Sequence, residues 1–460
     1  MSENIQKLPA WKILMHSLGS FGWSLASFSA MNALIYFYMP PEASETHFPS
    51  YIFQGKILGI ATIIGLIGAW GRVLSAFAEP WIANRSDRTK TRWGRRRLYM
   101  SISLIPFIIF SFLVFFPLVP RESNLNALWL FVCITIFYFA VTMYGNPLYA
   151  LISELGHSPK ERLNITTAMS IAGALGFALG SQVYLFRGIL SSHFNLDSVS
   201  AFQTSIVLLS VIAFVAMLMP LIFINERKYC KSNVSEEKLF AAIRSVFKNK
   251  EFVKFTLGNM IYWLPFTIIL DGINFFIMTL LQLKEGVISN LLLLLIVLSF
   301  LFYIPVNLIA KRTGKKKLII FAFIIFIIDF IYIAFLNKIP LPPMVQAYIM
   351  VAIAAIPIAI FGILPPAIIS DIAESDGIST GSYKEALFFG TNGFVQKIGM
   401  SIGNFLVPSF LLLGKSVENP TGIRMVAIAA FLFCILGLFL YIRYDEKKVL
   451  EILATKENID

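Results

Sequence analysis

The sequence contains twelve apolar stretches, most of them long enough to cross a lipid bilayer as a helix. They fall at about residues 13–39, 56–84, 97–119, 126–155, 164–188, 202–225, 253–283, 287–310, 317–337, 345–370, 386–414 and 421–443. A membrane-spanning helix needs roughly 20 apolar residues. An isolated strand in lipid would leave its backbone N–H and C=O groups unpaired, so each stretch is predicted to be a helix. The chain is therefore predicted to be an all-α integral membrane protein.

Composition agrees with this fold class. Of the 460 residues, 57% are hydrophobic and only 14% are charged. A soluble protein carries about 25% charged residues, so no large soluble domain is expected. The three cysteines show no paired spacing, and neither a disulfide framework nor a metal site is predicted.

The Lys and Arg residues are distributed unevenly along the chain. Most of the 38 lie in loops and tails that share the predicted side of the N-terminus. The residues on the opposite side are Lys56, Arg121, Arg187, Lys284, Lys338, Lys415 and Arg424. Positive loops stay in the cytoplasm. We therefore expect a multi-pass protein of the bacterial inner (plasma) membrane, with both termini cytoplasmic. The placement of these Lys and Arg residues accounts for the net charge of +12, and nucleic acid is not expected as a partner.

The longest polar segment divides the spans into two groups of six. It predicts an N-terminal half at residues 1–225, a central cytoplasmic loop at 226–252, and a C-terminal half with a short cytoplasmic tail at 253–460. Within the loop, apolar residues recur at helical spacing and predict a short amphipathic helix on the inner membrane face. These residues are Leu239, Phe240, Ile243, Val246 and Phe247. A solvated linker is the alternative.

Three segments carry the most specific sequence patterns. Residues 86–97 read Ser-Asp-Arg-Thr-Lys-Thr-Arg-Trp-Gly-Arg-Arg-Arg, and residues 144–155 read Tyr-Gly-Asn-Pro-Leu-Tyr-Ala-Leu-Ile-Ser-Glu-Leu. Residues 371–376 read Asp-Ile-Ala-Glu-Ser-Asp. With the six-plus-six layout, the first segment resembles the inner-gate motif of the major facilitator superfamily. Its inserted Thr-Lys-Thr-Arg-Trp resembles the glycoside–pentoside–hexuronide:cation symporters, the family that includes the melibiose permease.

This resemblance implies a fold and a function. The fold would be twelve transmembrane helices in two six-helix halves. The function would be cation-coupled symport of a small organic solute, sugar-like or glycoside-like, by alternating access. The implied cytoplasmic gate residues are Asp87, Arg88, Arg92, Glu154, Arg162, Asp371 and Glu374. No catalytic residue, resident metal or cofactor is expected beyond a co-transported H⁺ or Na⁺. The expected partners are the solute and the lipid bilayer, and the expected state is a monomer.

Ionisable residues inside the predicted spans indicate a transport path or a buried structural pair. They are Arg72, Glu79, Asp271, Asp329 and Lys397. Family members hold a cation with Asp-x-x-x-Asp-Pro on the second helix, which matches Ser75 and Glu79-Pro80. The resemblance therefore implies a cation-coupling site of Ser75, Glu79, Thr142 and Lys397. Because one carboxylate is missing, H⁺ is favoured over Na⁺, and an uncoupled facilitator stays open.

The candidate substrate residues are aromatic and amide side chains with one carboxylate. They are Trp23, Ser24, Asn146, Tyr149, Tyr262, Trp263, Asp271 and Asn274. The family's sugar-binding carboxylates match Ser24 and Gly145, so both are absent here. Their loss leaves a lysolipid or amphiphile symporter as the alternative. A membrane enzyme is not supported, because the four histidines do not cluster along the sequence.

Overall fold

A computed structural model describes residues 6–42, 48–57, 59, 61–89, 91–157, 159–230, 246–381 and 385–457. Within these residues, every predicted span coincides with a helix or, in one case, with a pair of helices. The all-α fold class is therefore confirmed. The amphipathic helix predicted in the central loop falls mainly on residues 231–245, which lie outside the described residues.

The chain divides into two compact units. The first contains α1 (Ala10–Tyr38) and the second half of α2 (Ile63–Arg88), starting at Phe77. It continues with α3 (Arg95–Leu113), α4 (Asn124–Leu155), α5 (Pro159–Gly180), α6 (Val183–Phe194), α7 (Ser198–Phe223) and the short α8 (Glu226–Tyr229). Helix α1 packs against α5 and α7, and α3 packs against α4.

The second unit contains the first half of α2, up to Ala76, and the remaining helices. These are α9 (Lys250–Phe275) with a π-helical turn (Phe276–Leu280), α10 (Gly286–Thr313), α11 (Lys315–Ala334), α12 (Pro343–Thr380), α13 (Glu385–Leu411), α14 (Thr421–Ile442) and α15 (Glu446–Glu457). Helix α9 packs against α13 and α14, and α12 packs against α10 and α11. Helix α2 thus contributes to both units.

Length and apolar composition separate the described helices into two classes. Eight of them are long and apolar enough to cross a membrane, and the bent pair α5–α6 makes up to nine. The other three that match predicted spans are α1, α2 and α13, which are richer in Gly and Ser. These three carry several of the predicted site residues, among them Trp23, Glu79 and Lys397. The polar content of these helices is therefore concentrated where a transport path was predicted.

The fifth predicted span is interrupted rather than continuous. Its two parts, α5 and α6, meet at an angle of 41° around Ser181 and Gln182. At the break, Ser181 Oγ donates to the Ala178 carbonyl oxygen at 2.7 Å, and Gln182 Nε2 donates to the same oxygen at 3.3 Å. In a membrane, side chains must satisfy the carbonyl groups that a broken helix releases. Local polar residues therefore make the bend tolerable.

Close helix contacts within each unit depend on glycine. A Cβ atom built on Gly176 of α5 would lie 2.2 Å from the Phe21 carbonyl oxygen of α1. In the second unit, a Cβ on Gly399 of α13 would lie 2.2 Å from the Met260 carbonyl oxygen of α9. Small residues allow helix backbones in membranes to approach this closely. These contacts place α1 and α13, which carry candidate site residues, firmly in their units.

We expect Gly176→Ala to destabilise the protein by about 1–3 kcal/mol, because the added methyl group meets backbone that cannot move independently. Gly188→Ala in α6 is the matched control, since a Cβ there has nothing within 4 Å. That control should be neutral or stabilising by about 0.5–1 kcal/mol. Thermal unfolding in detergent measures both. Equal unfolding temperatures for the two variants would contradict the packing argument.

Candidate functional site

Two of the predicted substrate residues of the first unit form an aromatic pair. Trp23 Nε1 donates to the Val141 carbonyl oxygen at 2.9 Å, which anchors the indole of α1 against α4. The Trp23 and Tyr149 rings meet edge to face, with centroids 5.8 Å apart. The Tyr149 hydroxyl lies 3.3 Å from Ser20 Oγ, while 42% of Tyr149 stays exposed. The pair therefore offers an amphipathic aromatic surface rather than a charged one.

The indole of Trp23 lies against Gly145. A Cβ atom built on Gly145 would be 2.8 Å from Trp23 Nε1. The family resemblance expects a sugar-binding carboxylate at this position of α4. Here the space that such a side chain would enter is filled by tryptophan. At this position an aromatic ring thus occupies the space of the missing carboxylate.

Asn146, another predicted substrate residue, contacts the backbone at the predicted coupling residue. Its Nδ2 donates to the Glu79 carbonyl oxygen at 3.1 Å, joining α4 to the second half of α2. Thr142 lies one helical turn before Asn146, on the same face of α4. Its Oγ1 donates to the Tyr138 carbonyl oxygen at 2.9 Å. Sequence reasoning did not identify Asn146 as a residue that positions Glu79.

In the second unit, Lys397 contacts the predicted coupling position Ser75. Lys397 Nζ donates to Ser75 Oγ at 3.0 Å, and Ser75 is only 5% exposed. One turn further along α13, Ser401 Oγ donates to the Ala69 carbonyl oxygen at 3.0 Å. These two bonds hold the first half of α2 to α13. They place a cationic group where the family resemblance expects the first carboxylate.

Asp271 and Asn274 on α9 have different surroundings. With the Asn404 amide oriented to donate, its Nδ2 lies 3.2 Å from Asp271 Oδ2. Asn274 is fully buried, and neither polar atom of its amide has a hydrogen-bond partner among the described residues. Neither residue lines the cavity described next. Their role as substrate ligands stays a prediction.

A cavity of about 400 Å³ lies within the second unit, between α9, α10, α12 and α13. It contains the predicted substrate residues Tyr262 and Trp263. Its other lining residues are Asn259, Phe266, Tyr303, Ile358, Phe361, Gly362, Pro365, Pro366, Ile369, Phe389, Asn392, Gly393 and Gln396. Sequence analysis did not single out the three amides. Helical spacing was an available signal, because Asn392 and Gln396 lie one turn apart, as do Asn259 and Trp263.

The predicted gate segment of the first unit forms a clamp around a buried glutamate. The backbone N–H groups of Arg95 and Arg96 donate to Glu226 Oε2 at 2.8 and 3.1 Å, and that of Arg97 donates to Oε1. Gly94 precedes them with φ 105°, and a Cβ there would lie 2.4 Å from Glu226 Cδ. Burial raises the pKa of the Glu226 carboxyl above its ordinary value, and the backbone donors oppose that shift.

The second unit contains the same clamp. The Lys315 and Lys316 N–H groups donate to Glu446 at 2.8 and 3.2 Å. Gly314 precedes them with φ 90°. The first of these bonds spans 131 residues, as does the bond from Arg95 to Glu226. Each unit therefore fixes the N-terminus of its third membrane helix with a glutamate that follows its sixth.

The predicted gate residues have varied positions in the structure. Glu154 lies 2.9 Å from Arg95 Nη2 and 2.9 Å from Arg96 Nε, so its cationic partners follow the predicted Arg92 in the chain. Lys315 Nζ lies 2.5 Å from Asp371 Oδ2. Arg162 Nε donates to the Gly156 carbonyl oxygen at 2.8 Å. Arg92 and Glu374 are exposed, while the side chains of Asp87 and Arg88 lie outside the described residues. The role of this set as a gate stays a prediction.

Comparisons with known proteins agree with the fold and the motifs. A family model described as "MFS/sugar transport protein" matches residues 20–447. An isoprimeverose transporter of Lactiplantibacillus pentosus is 24% identical, covering 80% of this chain and 76% of its own length. A glucuronide carrier protein homolog of Escherichia coli is 22% identical, with coverage of 84% and 85%. The crystal structure of the nucleoside transporter NupG is similar in fold, with a TM-score of 0.68, 13% identity and coverage of 94% and 98%.

We expect Glu226→Ala to lower the free energy of unfolding by about 2 kcal/mol or more, because it strands backbone donors at the start of α3. Glu446→Ala should destabilise less, since Glu446 accepts from fewer backbone groups. Glu122→Ala on the surface is the control and should stay within about 0.5 kcal/mol of the wild type. Unfolding in detergent provides the measurement. If Glu226→Ala behaved like the control, the clamp would have no structural role.

We expect Gly145→Asp to destabilise the protein by about 1–3 kcal/mol, because the new side chain collides with Trp23. Combining it with Trp23→Ala should relieve the collision, so the double variant should lose less stability than the sum of the two single changes. A double-mutant cycle of unfolding free energies tests this coupling. Additive losses would show that the indole does not limit position 145.

Proposed function

The chain belongs to the MFS/sugar transport protein family, as a member of the glycoside–pentoside–hexuronide:cation symporters, and on this premise we propose that it moves a small sugar-like or glycoside-like solute together with a proton. Alternating access of a central site is the expected mechanism for this fold. The two relatives described above are named as an isoprimeverose transporter and a homolog of a glucuronide carrier protein. Neither name supports the lysolipid alternative.

The contact between Lys397 and Ser75 is the observation that supports proton coupling. Na⁺ is a hard cation that prefers several oxygen ligands, and a carboxylate at position 75 would supply two of them. Here a hydroxyl takes that position and accepts from an ammonium group at 3.0 Å. A second cation close to this ammonium would be repelled, because charges interact strongly in a medium of low dielectric constant. The local charge therefore opposes Na⁺ binding at Ser75.

Glu79 remains as the carboxylate that can carry a proton. It lies in a membrane-spanning helix one turn from Ser75, and ionisable residues at such positions commonly serve transport. Asn146 holds its backbone carbonyl at 3.1 Å, and Pro80 follows it in the chain. Both features restrict the backbone at Glu79. A carboxyl with a fixed backbone and a reversible proton suits a coupling role.

We expect Glu79→Gln to abolish uphill uptake driven by a pH gradient while substrate exchange continues, because glutamine keeps the shape of the side chain but cannot release a proton. Uptake of labelled sugar into proteoliposomes, with and without an imposed pH gradient, measures the effect. Glu122→Gln on the surface is the matched control and should keep coupled uptake.

Two outcomes would contradict this mechanism. Strict Na⁺ dependence of uptake at constant pH would show that the assignment of H⁺ as the coupling ion is wrong. Equal uptake with and without any ion gradient in the wild type would identify an uncoupled facilitator.

A further inference from the structure

Aromatic side chains contribute six of the fifteen residues that line the cavity in the second unit. Tyr262 and Phe361 stack with centroids 3.5 Å apart and planes 10° apart, and they form a rigid floor. Trp263 and Phe266 meet edge to face at 5.1 Å, and both keep partly exposed rings. Flat aromatic faces bind the apolar C–H faces of a small ring without demanding charge. The cavity volume of about 400 Å³ lies within the usual range for small-molecule sites.

One amide oxygen in the wall, Oδ1 of Asn259, has no hydrogen-bond donor among the described residues. Asn259 is 1% exposed, and its Nδ2 donates to Asn392 Oδ1 at 3.0 Å. This bond directs the amides of α9 and α13 towards each other. Asn259 Oδ1 receives no hydrogen bond from the described residues. A buried acceptor without a donor costs free energy, which a ligand hydroxyl would recover. The cavity thus favours a ligand that carries a hydroxyl donor.

The cavity also lacks charge. None of its lining residues is Asp, Glu, Lys, Arg or His. A carboxylate buried here would lose its hydration without gaining a cation, which is strongly unfavourable. Lys397 follows the lining residue Gln396 in sequence, but it donates to Ser75. A hexuronide would therefore bind poorly, whereas a neutral pyranoside has both the C–H face and the hydroxyls that the walls match.

We propose that this cavity binds the ring of a neutral glycoside, with Asn259 Oδ1 accepting from a sugar hydroxyl, and that it excludes hexuronides. The proposal rests on the proposed function, since it takes the transported solute to be sugar-like. It names the substrate class and assigns its recognition to aromatic and amide groups of the second unit. The proposal assigns the role of specificity-determining residues to the three amides in the wall, Asn259, Asn392 and Gln396.

Matched pairs of glycosides test the charge preference directly. The full chain in detergent is titrated with methyl β-D-glucopyranoside and its glucuronide, and with methyl β-D-galactopyranoside and its galacturonide. Within a pair the two ligands differ only in oxidation at C6. The neutral member of at least one pair should bind tenfold or more tightly than its uronide. Equal or tighter binding of the uronides would overturn the proposal.

Gly393 offers a way to fill the cavity without disturbing the fold. It lines the cavity, and a Cβ built on it has nothing within 4 Å. Gly393→Leu should therefore fold and reduce binding of the neutral glycoside by more than tenfold. Gly390→Leu is the matched control. Gly390 lies on the same helix but does not line the cavity, and a Cβ built on it also has nothing within 4 Å. Unchanged binding in Gly393→Leu would overturn the assignment of the cavity.

Two further variants test the amide chemistry. Asn259→Leu should weaken binding of the neutral glycoside roughly threefold to tenfold, the range expected for one lost hydrogen bond. Thr256→Val is its control, because Thr256 is also buried on α9 but does not line the cavity. Gln396→Lys should allow the uronide to bind, since it supplies the missing cation. The role of the amides would be overturned if Asn259→Leu left the affinity for the neutral glycoside unchanged and Gln396→Lys gave no binding of the uronide.

The outcomes separate this proposal from the proposed function. If Gly393→Leu still carries a sugar with a proton, the cavity assignment fails while proton-coupled sugar transport stands. If the wild type binds uridine but none of the glycosides, both fail together.

Discussion

The ammonium group of Lys397 lies in a helix predicted to span the membrane, where a charge must be solvated by the protein itself. Its bond to Ser75 meets that requirement and joins α13 to the first half of α2. Ser401 repeats the link one turn away, through the Ala69 carbonyl. The second half of α2 belongs to the other unit and is joined there to α4 through Asn146 and Glu79. Polar contacts therefore hold each half of this helix to its own unit.

The two clamps show how each unit holds the N-terminus of its third membrane helix. In both, a glycine with positive φ turns the chain, and the N–H groups that follow converge on one glutamate carboxylate. A helix N-terminus carries unpaired donors and partial positive charge, so a carboxylate is the natural partner. Glu154 and Asp371 add ion pairs to the same basic segments. Because every one of these bonds lies within a unit, the basic motif has a structural role in addition to the gating role predicted from sequence.

The side chains that the structure presents differ in chemistry from the recognition site that the family resemblance implies. The resemblance expects carboxylates at Ser24 and Gly145, but the first unit presents the rings of Trp23 and Tyr149 instead. The second unit offers stacked aromatic rings and a pair of amides around a cavity without charge. Both surfaces suit a neutral ligand with apolar faces and hydroxyl groups. The loss of carboxylates and the gain of aromatic rings thus both favour a neutral ligand.

Hydropathy alone predicted the helical spans, because lipid forces every backbone group to pair within its own segment. The motifs of residues 86–97 and 144–155 were sufficient to predict the family. The sequence also marked Glu79 and Lys397 as ionisable residues in apolar spans, and the family resemblance added Ser75. The sequence did not reveal the break in the fifth span, because Gly180-Ser181-Gln182 interrupts the apolar run too briefly to divide it.

Only the tertiary structure identified the partners of these residues. It paired Lys397 with Ser75, filled the space beside Gly145 with an indole, and brought Asn259 to Asn392 across 133 residues. Hydrophobic pattern determines which segments enter the membrane, but it does not specify how a helix is rotated or which helices are neighbours. The rotation of each helix and its neighbours are set by close backbone contacts at glycine and by the packing of aromatic side chains. The cavity, and the amide oxygen in it that lacks a donor among the described residues, exist only as a result of that packing.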